Sequence, residues 1–481
     1  MCELDPSKAN KHDKAARKGQ PTAPTDFDPG RKTTYSKSLK AGSLLSPAKW
    51  RIDEDFEVGD NISFVEAEPP GDDESLFNLC GQCLSEHFDF NRPLWQAVVV
   101  HGLQTSEGAR SALMIKIHHA FSDGQGMIQS YHSAIEAMQQ GVSISGKQAE
   151  IDAGAASASR RTRRQSEKGG ARREEEQKKI GSRNIKPTIG GTVSHTWHTF
   201  RGLYFRKRKA FTYPDSAGKE AARSFGAQLG KNGRPSTRFY AHSGGIAMDE
   251  IQLIRKAFST SKMNLSLNDV ACAILSRALR IAAEAQADRE GEKVKDKRIA
   301  IFIPVSKRPK GDWTLANYTT GAIAWFRFHE PSTYGFEQLL SQVHREMNRI
   351  KRSHLPTLWY KVFDMACKRR LMMAPNYPIA RSIFQRAYRE YHVATNVPSS
   401  TKPVSFGKHK AFRYNVLPPS SPGKATLAIG MVSYAGDFSL SVSCDGVRQN
   451  QEMSEIICEA FQQAGDELID AAEEKMRRPA K

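Results

Sequence analysis

The chain has 481 residues, with 71 Lys and Arg against 52 Asp and Glu, 39% hydrophobic and 26% charged residues, and a mean hydropathy of −0.55. This is a globular composition diluted by polar sequence, long enough for about two to four domains, and it excludes collagen, coiled coil and a wholly disordered chain. No apolar run approaches the roughly 18 residues of a spanning helix, and the seven cysteines are too few for a disulfide framework.

In chain order, Met1-Cys2-Glu3-Leu4-Asp5-Pro6 lacks the apolar core of a secretory signal. Residues 1–44 are polar and read as a disordered tail. Cys80 and Cys83 form a Cys-x-x-Cys with His87 nearby, but Leu76, Leu79 and Leu84 fall at helical spacing around them and no second such pair exists, so buried helix cysteines are expected rather than a metal site. Asn91-Arg92-Pro93-Leu94-Trp95 leads into the apolar Val98-Val99-Val100, where Trp95 reads as a core anchor. Ser111 to Ile117 reads as a strand. Gln125 to Gln139 reads as a helix, with Met127, Ile128, Tyr131, Ile135 and Met138 at helical intervals.

Between that strand and helix lies Ile117-His118-His119-Ala120-Phe121-Ser122-Asp123-Gly124. A His-His-x-x-x-Asp-Gly pattern arises by chance in roughly one chain of this length in a thousand. Successive strand residues point to opposite faces, so His118 and His119 cannot share one cavity: one supports and the other works. An imidazole is suited to take a proton from a hydroxyl near neutral pH. Gly124 is expected to supply permissive dihedrals at the turn, and Asp123 to bond backbone amides or pair with an arginine, for which Arg308 is the candidate.

From Gly141 to about Gly191 the sequence is Ala, Ser, Gly, Arg, Lys and Glu with almost no large apolar residue, which reads as a disordered insert. Arg160 to Lys209 holds sixteen Lys and Arg against four Glu, so much of the net charge of +19 is concentrated there. His195 to Lys209 places Trp197, Phe200 and Tyr204 on one helical face ahead of Arg206-Lys207-Arg208-Lys209, a pattern suited to a lipid surface or to ordinary packing with a solvated basic end. A helix begins at Ser266, and Ser266-x-x-Asp269 has the form of a capping box. If the start of that helix, with Asn268 at its second position, opens on a cleft, its amides favour negative charge. Arg298 to Val305 reads as a strand, and Ala425–Val432 and Phe438–Ser443 bracket a hairpin turn at Tyr434-Ala435-Gly436-Asp437.

The His-His-x-x-x-Asp-Gly constellation resembles the CoA-dependent acyltransferase superfamily. Pro93-Leu94-Trp95, Asn268-Asp269, Ile303-Pro304-Val305-Ser306-Lys307-Arg308 with Asn317, and Thr395-Asn396-Val397-Pro398 with Met431 to Gly436 narrow the resemblance to the wax ester synthase/diacylglycerol acyltransferase family, from about Trp50 to Glu473. The resemblance implies an α/β fold, with two chloramphenicol acetyltransferase-like subdomains forming a sandwich around a central substrate channel. The first subdomain is expected at residues 45–140 and 192–290, the insert at 141–191, and the C-terminal domain at 291–475. Members begin with a strand and helix just upstream of the position of Trp50; Met1 to Ser43 shows no such pattern, so the first strand is expected to be absent.

The implied activity moves a long-chain acyl group from acyl-CoA to a fatty alcohol or diacylglycerol, giving wax ester or triacylglycerol. His119 would act as base with His118, Asp123 and Gly124 around it, and Asn268, Asp269, Pro93, Leu94 and Trp95 would meet substrate. Asp269 as a mere cap is the competing reading. No metal or redox cofactor is implied, acyl-CoA being a co-substrate. A cytoplasmic location is expected, peripheral to endoplasmic reticulum, plasma membrane or lipid droplets, with no nucleic-acid partner. The alternatives are a condensation-domain-like acyltransferase acting on carrier-bound substrates and a non-catalytic basic protein binding membrane or nucleic acid.

Overall fold

A computed structural model describes residues 36–40, 49–139, 185–205, 238–289, 291, 294, 298–309, 316–327, 331–368, 391–406, 409–418, 427–445 and 451–477. The first half opens with β1 (Lys37–Lys40) antiparallel to β2 (Lys49–Ile52). β1 lies inside the stretch read from sequence as tail and corrects the expectation of a missing strand. With Leu39 its one apolar residue, it carries almost no hydrophobic pattern, and the pairing with β2 supplies its backbone partners.

A three-stranded sheet follows, in the order β3 (Ile62–Glu66), β4 (Trp95–His101), β5 (Ser111–Ile117), with β4 parallel to β3 and antiparallel to β5. Helix α1 (Asp73–Ser85) starts at Asp72, whose carboxylate accepts the Ser75 amide at 2.9 Å. It packs Leu76 against Ala67, Val100 and Leu103 in a small satellite core. Cys80 and Cys83 lie on α1, half-buried, and Cys80 donates its thiol hydrogen to the Met114 sulfur at 3.3 Å. Burial raises the Cys80 thiol to about 12, so it is a packing residue and not a thiolate.

After β5 come α2 (Gly124–Gln139) and α3 (Ile189–Phe205). The expected insert ends earlier than residue 191, because Thr188 begins a helix in spite of Gly190 and Gly191: its hydroxyl accepts the Gly191 amide at 3.0 Å and its carbonyl the Thr192 amide at 3.0 Å. Gly191 is also required by contact, since a Cβ there would lie 2.3 Å from the Arg352 carbonyl oxygen.

The second half is built on a seven-stranded sheet. Its elements are β6 (Arg238–His242), β7 (Ile246–Ala247), α4 (Met248–Phe258), α5 (Leu267–Arg289), β8 (Arg298–Ser306), β9 (Thr319–Arg327), α6 (Pro331–Lys351), α7 (Leu355–Lys368) and β10 (His392–Pro398). They continue as a small ribbon of β11 (Ser405–Phe406) and β12 (His409–Lys410), then β13 (Ala428–Tyr434), β14 (Asp437–Asp445) and α8 (Gln451–Arg477). The strand order is β6-β14-β13-β10-β8-β9, with β7 also on β14, and β10 runs parallel to both neighbours. Ala435 and Gly436, with φ of 52° and 98°, form the tight turn between β13 and β14.

Residues 238–289, assigned from sequence to the first half, belong instead to this second core. β6 pairs with β14, and Ile254, Leu275 and Leu279 are fully buried with Phe461 and Leu468 of α8. The sequence pattern shows that α5 is apolar; which sheet it covers depends on strand pairing across about 200 residues, which local periodicity does not report.

Candidate active site

His118 and His119 sit where β5 ends and the chain turns into α2. The turn is short because the Phe121 amide bonds back to the His118 carbonyl at 2.8 Å. Both lie beyond the last strand residue, Ile117, so the turn and not the strand alternation expected from sequence sets their directions, and the two rings have different partners. His118 lies edge-on to Phe88 and Phe90, at ring distances of 5.7 and 5.6 Å, and its amide donates to the Leu94 carbonyl at 3.0 Å. Burial lowers the affinity of its ring for a proton, and neighbouring His119 lowers it further.

His119 turns toward the second half. Asn317 Nδ2 lies 2.8 Å from its Nδ1 and donates to its carbonyl oxygen at 3.1 Å, while Asn317 Oδ1 accepts the Thr319 amide at 3.0 Å, which sets the orientation of the amide. Burial lowers the His119 pKa; the charge of Asp123 and a bond to the residue's own carbonyl work in the opposite direction. The net shift favours the neutral ring.

Asp123 is 1% exposed and fully engaged. Oδ1 accepts the Gly126 amide and Arg308 Nη2, both at 2.8 Å, and Oδ2 accepts the Tyr318 amide at 2.8 Å. Arg308 also donates to the Ala316 carbonyl at 2.6 Å and lies over the Tyr318 ring, 4.9 Å from its centroid. Asp123 therefore ties the histidine turn to the segment between β8 and β9. It is a positioning carboxylate, since each of its oxygens is already occupied.

Gly124 does not have the role expected for it. Its φ is outside the left-handed region and a Cβ there would meet nothing within 4 Å. The glycine the turn needs is Gly126, where a Cβ would stand 2.2 Å from Arg308 Nη2 and 2.7 Å from Ser122 Oγ.

The structure also separates the residues expected to meet substrate. Pro93 and Leu94 are buried, Leu94 completely. Asn61 Nδ2 donates to the Pro93 and Trp95 carbonyls at 3.2 and 2.6 Å, and Trp95 pairs with Ile117 across β4 and β5. These three residues hold the backbone of the histidine turn through the Leu94–His118 bond, and half-buried Trp95 packs edge-on against Phe56. Their burial leaves Pro93 and Leu94 no face for a substrate.

Asp269 is likewise 0% exposed. It accepts the Ser266 amide at 2.8 Å and donates its own amide to Ser266 Oγ at 3.3 Å, completing the capping box. His344 Nδ1 lies 2.8 Å from Oδ2 and Lys351 Nζ 3.7 Å from Oδ1. The cap, the His344 ring and Lys351 surround the carboxylate, and Ser266 and Asp269 satisfy helix-start amides that were expected to face an anion. Asn268, by contrast, is exposed and accepts from Asn396 Nδ2 at 2.7 Å, joining the starts of two sequence motifs 128 residues apart.

Asn317 as the residue against His119, Tyr318 as a backbone donor, and His344 and Lys351 around Asp269 were not assigned these contacts from sequence. Of these, Asn317 alone stood among the family motifs in the sequence. No group of three or more His, Cys, Asp and Glu able to hold a metal occurs among the described residues.

Comparison with known proteins bears on this arrangement. A family model for the wax ester synthase/diacylglycerol acyltransferase catalytic domain matches residues 30–213, and one for the C-terminal domain of the same family matches residues 321–467. The probable diacylglycerol O-acyltransferase tgs1 of Mycobacterium tuberculosis is 34% identical over 80 residues, an alignment covering 17% of this chain and 17% of that protein. A putative diacylglycerol O-acyltransferase of the same organism is 37% identical over 79 residues, 16% of each.

Among solved structures, the wax ester synthase/diacylglycerol acyltransferase of Marinobacter aquaeolei VT8 superposes with a TM-score of 0.50 at 17% identity, covering 98% of this chain and 91% of that one. The TRI3 trichothecene 15-O-acetyltransferase of Fusarium sporotrichioides gives 0.52 at 11% identity, covering 91% and 83%. These likenesses establish the two-subdomain acyltransferase fold. With both family models matched in order, the first spanning the histidine turn, the chain belongs to the wax ester synthase/diacylglycerol acyltransferase family.

Proposed function

We propose that this protein transfers a long-chain acyl group from acyl-CoA to the hydroxyl of a fatty alcohol or diacylglycerol, with His119 as general base. The observation that carries the reading is an imidazole packed against Asn317 on a turn anchored to the second half through Asp123 and Arg308. For Nε2 to keep its lone pair for the substrate, the ring hydrogen must sit on Nδ1, directed to the residue's own carbonyl; Asn317 Nδ2 then donates to that carbonyl oxygen and not to the ring.

Nε2 removes the acceptor's proton as its oxygen attacks the thioester carbonyl. The tetrahedral intermediate then collapses, breaking the carbon–sulfur bond, and the imidazolium returns the proton to the departing CoA thiolate, giving ester and free CoA. No acyl-enzyme is formed. Because the thioester is already activated, alignment of the two substrates supplies much of the acceleration. His118 shapes the turn, and exposed Asn268 is the member of the Asn-Asp pair available to substrate.

Acceptor and product are both lipids, so we place the reaction at a cytoplasmic lipid boundary such as endoplasmic reticulum, plasma membrane or a lipid droplet; no described helix is long and apolar enough to cross a membrane. Incubating purified protein with palmitoyl-CoA and either hexadecanol or dioleoylglycerol, and resolving the lipids, tests the reading. Ester formation that disappears in His119→Ala at unchanged fold supports it. Hydrolysis alone, or turnover untouched by the substitution, refutes it.

A further inference from the structure

Two neighbouring helices carry large apolar side chains on their solvent faces. On α3, Ile189, Val193, Trp197 and Phe200 are 82%, 64%, 63% and 44% exposed. Steps of four, four and three residues put them in one stripe, on the side of the helix opposite buried His195 and Gly202. Trp197 and Phe200 stack within the stripe, with ring centroids 6.0 Å apart. On α7, Leu358, Trp359 and Val362 are 54%, 46% and 36% exposed and share a face. The helices meet at their starts: the His354 amide donates to Thr192 Oγ1 at 2.9 Å and the Thr188 amide to the Arg352 carbonyl at 2.9 Å. One helix lies in the part of the chain matching the family's catalytic domain and the other in the part matching its C-terminal domain.

In the sequence, positive charge is concentrated around the same two elements. From Gln177 to Pro214 there are nine Lys and Arg and no Asp or Glu, and between Glu346 and Glu390 there are ten Lys and Arg with Asp364 as the one acid. Lys186, Arg201, Arg352 and Lys361 are exposed. In sequence, α3 leads into Arg206-Lys207-Arg208-Lys209, and α7 ends at Lys368, followed by Arg369-Arg370. The side chains of Leu203, Tyr204 and Phe205, and the residues from Arg206 to Thr237, lie outside the described residues.

We infer that α3 and α7 form a single two-helix surface that docks on anionic lipid, with the aliphatic and aromatic side chains at the headgroup boundary and the cations against phosphate or carboxylate headgroups. This identifies the contact surface for the lipid boundary placed above, and it stands or falls independently of the acyl-transfer chemistry. A second copy of the chain would set two basic surfaces against each other. A polynucleotide would neutralise the cations but offers nothing to Ile189, Val193 and Leu358. An anionic lipid surface satisfies both features.

The test is flotation of the full chain with vesicles of phosphatidylcholine alone and of phosphatidylcholine mixed with phosphatidylserine, without substrate. Wild type and His119→Ala should float equally with the mixed vesicles, which separates docking from catalysis. Trp197→Ala with Phe200→Ala, and Leu358→Ala with Trp359→Ala, should each weaken partitioning at least about tenfold. Arg352→Gln and Lys361→Gln should each weaken the phosphatidylserine-dependent part about fivefold without touching the apolar stripe, so the proposal stays testable if an alanine variant melts early. Wild-type flotation by the α7 double variant would remove α7 from the surface and overturn the two-helix assignment. Salt-sensitive binding to RNA with no flotation would assign the charge to a polynucleotide and overturn the lipid proposal.

Discussion

Asp123 and Arg308 are 185 residues apart in sequence and 2.8 Å apart in space, as an ion pair whose side chains are 1% and 3% exposed. The pair offsets its desolvation because the carboxylate also takes the Gly126 and Tyr318 amides. Asp123→Ala strands the buried guanidinium, so a loss of about 3–5 kcal/mol is expected in urea unfolding. The folded fraction should also lose most turnover, because the histidine turn is no longer tied to Asn317. Full activity per folded molecule would show that the anchor is dispensable.

The two glycines of the turn should behave differently. Ala at Gly126 collides with Arg308 and Ser122 and should cost about 1–3 kcal/mol. Ala at Gly124 enters open space and should change stability by no more than about 0.5 kcal/mol. Thermal melts of the two single variants decide this, and equal destabilisation would contradict the contact geometry.

The Asn-Asp pair should separate into two roles. Asp269→Ala removes the cap and leaves His344 and Lys351 facing an empty site, so a loss above the roughly 0.5–2 kcal/mol of a simple cap is expected, with near-normal turnover by the protein that remains folded. Asn268→Ala should leave the melting temperature nearly unchanged and raise KM or lower kcat, since the side chain is exposed. Measuring stability and kinetics on both variants distinguishes these outcomes.

The pH profile of ester formation follows from the direction of the His119 shift. A general base works deprotonated, and burial moves its pKa below the usual 6.5. The acid limb of kcat/KM should therefore lie below pH 6.5, with a plateau through neutrality. A limb above pH 7 would mean that another group controls the reaction.

His195 predicts a separate effect on folding. It is 1% exposed on the inner face of α3, neither ring nitrogen has a hydrogen-bond partner among the described residues, and burial lowers its pKa to about 4. The unfolded chain takes up a proton near pH 6.5 that the folded ring refuses until about pH 4. Its contribution to stability is complete above 6.5, falls as pH drops through that window and levels off below it. His195→Leu should flatten the melting-temperature profile between these values, and an unaltered profile would show that the ring does not control it.

Much of the site was legible in sequence because it is local: His118, His119 and Asp123 fall within six positions, although the turn beyond β5, and not strand alternation, directs the two rings. Ser266 and Asp269 announced a capping box for the same reason, three residues apart. The sequence by itself also determined the family motifs, the hairpin at Ala435-Gly436 and the basic character of residues 160–209. Tertiary structure decided which of these residues touch. Burial removed Leu94 and Asp269 from substrate contact, strand pairing moved residues 238–289 into the second core, and Asn317 came to His119 from 198 positions away. Periodicity and spacing report only what one element does to itself; burial and hydrogen bonding between distant segments depend on how the elements pack.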